Sequence, residues 1–157
     1  MAAVLKVLVA ALALTLSVAT GASAQQPPQP SNDIVLEQLE SQDLVPGRCG
    51  LFLWLRSAQP LFVMVAYANP SEARVRTAGR NRYLRRVSFG KEQIYGHFER
   101  QTFTDGRLTF EVDLEFDTQR QVRSGAVVKQ GVIRVRDEDK WESVHPVGGL
   151  VVCKDTE

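Results

Sequence analysis

The chain has 157 residues, 44% of them hydrophobic, with 19 basic and 18 acidic side chains. One domain's worth of chain at near-neutral charge excludes a general pull toward nucleic acid or an anionic membrane surface. Two cysteines and two histidines with no short Cys-x-x-Cys pairing exclude a zinc signature, so no metal is expected.

Residues 1–24 read as a secretory signal peptide. Lys6 is the positive n-region, Val7 to Val18 is apolar apart from Thr15 and Ser17, and Ala22-Ser23-Ala24 is a small-x-small cleavage site. The apolar run is too short for a membrane span, which needs roughly 20 residues. Cleavage leaves no transmembrane span and no N-terminal cysteine for a lipid anchor. It also removes Lys6, so 18 basic residues face 18 acidic ones. The expected address is periplasmic or secreted, which also disfavours nucleic acid as a partner. Residues 25–33 (QQPPQPSND) are polar and Pro-rich and read as a disordered linker. Residues 34–157 are left as a single β-rich domain.

Within that domain, residues 34–45 place Val35, Leu36 and Leu39 on one helical face, with Ser31, Asn32 or Asp33 as cap and Pro46-Gly47 as stop. A short N-terminal helix is the expectation. From Arg48 the period becomes two. Strands are expected over residues 48–56 and 61–68, then a hairpin of residues 74–78 and 82–89 around Gly79-Arg80-Asn81. A second hairpin pairs 93–103 with 107–117 around Thr104-Asp105-Gly106. In its second arm Leu108, Phe110, Val112, Leu114 and Phe116 alternate with Thr109, Glu111, Asp113, Glu115 and Asp117, the mark of a half-buried strand. Residues 122–136, 140–144 and 150–153 complete the set, with Gly125 and Gly131 as bends or bulges and with Pro146 and Gly148-Gly149 breaking or bending the chain.

About eight or nine short strands without βαβ alternation make an all-β fold, a small antiparallel β-barrel or a β-sandwich. The cysteines choose between them. In an exported chain Cys49 and Cys153 are expected to form a disulfide, and they open the first strand and end the last. A bridge requires Cα atoms within about 7 Å. The terminal strands then lie side by side, which favours a closed or nearly closed meander over a sandwich. Leu51 to Leu55 and Leu61 to Tyr67 are apolar on both faces. The second face needs a cover, which is either the segment 34–45 or a partner, including a second copy of the chain in a homodimer.

No catalytic set and no cofactor motif is present, so the chain is read as no enzyme. Serine has no nucleophile-elbow context, and the acidic residues fit a solvated strand face. His97 and Glu99 share a strand parity with Tyr95 and are the one candidate acid/base pair, the basis of a hydrolase alternative. The least random charge feature is basic. Arg74, Arg76, Arg80, Arg82, Arg85 and Arg86 fall within 13 residues, interleaved with Tyr83 and followed by Phe89 and Lys91. Arginine suits phosphate and carboxylate recognition, so these six are the candidate binding residues. The competing role is cross-strand pairing with the acidic face of Glu111–Asp117. The plan of leader, small barrel and bridged ends resembles the small periplasmic inhibitor barrels, such as those of lysozymes and metalloproteases. The resemblance covers layout alone and transfers no residue. The leading expectation is a non-enzymatic, inhibitor-like binding protein of the envelope, meeting an anionic envelope component or a periplasmic protein. A small-ligand carrier using the barrel interior is the other alternative.

Overall fold

Strand-forming segments follow one another from Cys49 to Cys153, some alternating apolar with polar residues and the first two apolar on both faces. The computed structural model describes residues 34–91 and 93–156. Its strands are β1 (Cys49–Leu55), β2 (Phe62–Tyr67), β3 (Glu72–Thr77), β4 (Arg80–Phe89), β5 (Gln93–Ile94), β6 (His97–Phe98), β7 (Arg100–Thr104), β8 (Thr109–Val122), β9 (Gly125–Arg136) and β10 (Glu142–Cys153). Eight of them close an antiparallel barrel in the order β1-β10-β9-β8-β7-β4-β3-β2, while β5 and β6 form a hairpin inserted between β4 and β7. The fold is therefore the closed meander, not the sandwich. The leader and linker assigned to residues 1–33 lie outside the described residues.

Closure follows from the termini. Cys49 and Cys153 are register partners of β1 and β10, joined by a disulfide with Cα atoms 3.9 Å apart. Such a bridge fits an oxidising compartment. Inside, Leu51, Leu53, Met64, Leu84, Phe103, Phe110 and Ile133 are each under 2% exposed. An eight-stranded barrel is just wide enough for side chains to fill, and here they fill it. On β8, Phe110, Val112, Leu114 and Phe116 point into this core as the alternation requires.

Residues 34–45 form no helix. They run as an extended strap. Leu36 enters the barrel core, whereas Leu39 packs outside it with Phe62, Val65 and Phe52. A single helical face cannot serve two cores on opposite sides of a sheet. The strap's backbone is also committed elsewhere: Glu37 N–H donates to the Arg76 carbonyl (2.9 Å) and Leu39 N–H to the Phe62 carbonyl (2.7 Å). Val35, assigned to the same apolar face, is 61% exposed. The strap supplies the intramolecular cover that the two-faced strands Leu51–Leu55 and Leu61–Tyr67 require.

Three further boundaries differ from expectation. The β3–β4 turn is Ala78-Gly79, both at positive φ (51° and 71°), the conformation that two-residue hairpins favour, so Arg80 already belongs to β4. Residues 93–103 are not one strand, because Tyr95 and Gly96, at φ 51° and 81°, fold the chain back into the β5–β6 hairpin. Pro146 and Gly148-Gly149 bend β10 rather than break it, so the two expected strands 140–144 and 150–153 are one strand, Glu142–Cys153. Its register against β9 shifts between Val147 and Gly149, a bulge that absorbs the irregular residues and lets the strand continue.

Candidate functional site

The six candidate arginines do not converge. Alternation along the β3–β4 hairpin turns Arg74 and Arg76 outward, while Arg82 and Arg86 share the inward parity of Leu84 at opposite ends of the barrel. The strap takes the outward pair. Arg74 Nη1 donates to Gln42 Oε1 (2.6 Å), and its guanidinium lies 4.8 Å from the Tyr83 ring centroid. Arg76 bridges to Glu37 (3.2 Å). Arg82 pairs with Asp105 across the barrel end (2.6 Å), where that guanidinium and two backbone N–H groups hold the Asp105 carboxyl below its usual range despite burial. Arg80 lines a groove with Arg107, Asp137 and Asp139.

The acidic face of β8 is neutralised by other bases. Asp113 pairs with Arg100 and Arg134, Glu111 with Arg136, and Glu115 with Lys129. Among the described residues, none of the ion-pair partners of Glu111, Asp113 and Glu115 is one of the six hairpin arginines. What β4 presents to solvent is a stripe. Tyr83 is 63% exposed and Val87 52%, with exposed Arg85 between them, whereas Phe89, past the register shift at Arg86–Ser88, turns to the other side, opposite buried Gln101 and stacked on Phe98 (4.5 Å). Glu72 stands opposite Arg85 in register, but no ion pair forms between them. Exposed aromatic and aliphatic groups around an available guanidinium have interface composition.

His97, Glu99 and Tyr95 do not share a face. His97 is fully buried, Tyr95 is 47% exposed in the turn, and Glu99 is exposed at the bend before β7. Neither ring nitrogen of His97 makes a well-formed hydrogen bond among the described residues. Burial first, then the positive charge of Arg86, pushes its pKa down to about 4; the Cys49 backbone pulls weakly the other way. His97 is thus a neutral core residue of the β5–β6 hairpin. Arg86 holds that hairpin by donating to the Gly96 carbonyl (3.1 Å), Gln101 Oε1 (3.3 Å) and Ser71 Oγ (2.8 Å), stacked 4.9 Å from Phe98.

The structure also joins residues with no sequence signal. At the opposite barrel end Ser143 Oγ and His145 Nε2 lie 2.9 Å apart, and each is within about 3 Å of the Ile34 carbonyl. They clamp the start of the strap. On the outer wall, Phe52, Trp54 and Phe62 form an aromatic cluster with centroids 5.3 to 6.5 Å apart. Only the two-faced apolarity of β1 hinted at this cluster. No protein-family model matches the chain, and neither the curated proteins nor the solved structures provide a match.

Proposed function

We propose that this chain is a non-enzymatic binding protein of the periplasm or the extracellular space, meeting an anionic envelope component through the outer face of β4. The observation that carries the reading is the exposed Tyr83–Arg85–Val87 stripe on the outer face of β4. Support comes from the packed lumen, which gives a carrier no interior space. It comes also from the separation of His97 from Glu99, which leaves the acid/base pair without a geometry. The address rests on the leader-like residues 1–24 and on the disulfide.

Two measurements test this. The intact mass of exported protein is expected to begin at Gln25; a mass retaining residues 1–24 in the envelope fraction overturns the address. Purified protein is expected to co-sediment with envelope fragments more strongly at low salt than at high salt, since exposed charges are screened within about 10 Å at 0.1 M. Tyr83→Ala with Arg85→Glu is expected to abolish that association and keep the thermal midpoint. Undiminished association of the double variant overturns the assignment of the face.

A further inference from the structure

Trp54, near the end of β1, and Arg56, just beyond it, border an outer-wall groove of about 810 Å3, away from the β4 stripe. Leu55, Ala58, Pro60 and Leu150 make its walls apolar, and Ser57 contributes the one side-chain hydroxyl. Of the lining residues, Arg56 alone carries a charge. Arg56 is exposed and forms no ion pair among the described residues. It also borders a second groove with Glu99, Asp113 and Glu115, of which Asp113 and Glu115 are already paired with Arg100, Arg134 and Lys129.

The floor of the groove is bare backbone, and the two glycines that form it have different reasons to be glycine. A Cβ on Gly149 would lie 2.0 Å from the Phe52 carbonyl oxygen, so packing demands that glycine. A Cβ on Gly148 would meet nothing closer than Arg56 Nε at 3.5 Å and the Val128 carbonyl oxygen at 3.6 Å, ordinary contact distances, and its φ is not in the left-handed region. Gly148 pairs with Trp54 on β1 and sits at the register shift opposite β9. A methyl there would clash with neither packing nor backbone. The consequence of the glycine is a low floor beside Trp54, across which the Arg56 side chain lies. A glycine at a strand bulge often marks the close approach of another molecule.

We propose that this groove binds a single-chain amphiphile with one anionic head, of the long-chain carboxylate class. The alkyl chain lies against Trp54 and Gly148, and the carboxylate accepts hydrogen bonds from Arg56. The groove has the size of a small-molecule site, about 300–1,000 Å3. One unpaired cation in an apolar wall matches one anion on an apolar chain. A polypeptide occupant fits less well, because its backbone amides would lose water against walls that offer a single hydroxyl.

The test uses the mature protein with Trp141→Phe, which leaves Trp54 as the sole tryptophan, since the chain has two. Dodecanoate, titrated below its micelle concentration, is expected to shift the Trp54 emission to the blue and to saturate. Decanoate is expected to bind about fourfold more weakly, because a fully buried methylene is worth about fourfold in affinity and an open groove buries each of two by about half. Arg56→Gln is expected to weaken dodecanoate about tenfold, as befits a lost charge-assisted hydrogen bond, and to leave dodecanol unchanged. Gly148→Val is expected to abolish the shift with an unaltered circular dichroism spectrum and thermal midpoint. Absence of a saturable shift overturns the proposal. So does undiminished binding to a folded Gly148→Val, or dodecanoate affinity indifferent to Arg56→Gln, which decides the matter even if Gly148→Val fails to fold. Tighter binding of an acetylated apolar peptide carboxylate than of dodecanoate overturns it in favour of a polypeptide. The β4 face is tested separately by Tyr83→Ala with Arg85→Glu, so either result stands without the other.

Discussion

Acid is expected to loosen the barrel through His97, in a pH window set by that one side chain. The imidazole is buried without a well-formed hydrogen bond, and Arg86 is the charged group beside it, so the folded protein keeps it neutral down to about pH 4. In the unfolded chain it takes its proton near 6.5. Between these values the unfolded state binds more protons, so stability falls as pH falls. The contribution is whole above about pH 7 and is lost progressively on the way down to about pH 4. The full difference amounts to about 3 kcal/mol, with a slope approaching about 1.4 kcal/mol per pH unit in mid-window. Asp105 and Glu115 have carboxyls held low, so their contributions disappear only at lower pH. The assay is urea unfolding followed by tryptophan fluorescence across the window, on the parent and on His97→Gln. The glutamine side chain does not titrate, and most of the slope is expected to vanish in that variant whatever its absolute stability. Equal slopes in the two proteins would refute the argument.

Four other outcomes are expected. Cys49→Ser, which opens a disulfide spanning 104 residues, is expected to lower unfolding free energy by about 4–5 kcal/mol in urea titrations, and reduction of the parent should do the same. Phe110→Asp is expected to prevent cooperative thermal unfolding by placing an unpaired charge in the lumen, whereas Glu111→Ala, which loses a partly exposed pair with Arg136, costs at most about 1 kcal/mol. Leu39→Ala is expected to cost about 2–3 kcal/mol and to speed hydrogen exchange at the Glu37 and Leu39 amides, because the strap loses its outer anchor. Ala78→Gly is expected to raise stability by a few tenths to about 1 kcal/mol, since Ala78 holds a positive φ of 51° that glycine adopts without strain; a lower thermal midpoint would count against it.

Much of the barrel was legible in the order of residues. Strict alternation in β8 assigned Phe110, Val112, Leu114 and Phe116 to the core, because a side-chain period of two is a property of the strand itself. The positions of Cys49 and Cys153 implied closure, because a bridge forces terminal strands together. The candidate site was far less legible. Six arginines close in sequence looked like one patch, yet alternation and the length of β4 send Arg82 and Arg86 inward at opposite ends and give Arg74 and Arg76 to the strap.

Local pattern was enough for most strand positions, for which strand faces are apolar, and for the meeting of the two ends. These are local patterns, or a covalent bond that needs no knowledge of the rest. Tertiary structure alone decided the strap, the burial of His97, the bulge at Gly148 and the Trp54–Arg56 groove. Leu36 and Leu39 show why. Their spacing suits a helical face, and only the presence of two separate cores, one on each side of the β1–β2 wall, makes an extended path the better burial. His97 likewise has the parity of a surface residue until Tyr95 and Gly96 turn the chain back over the barrel end. A residue's environment is set by elements distant in sequence, and local periodicity carries no information about them.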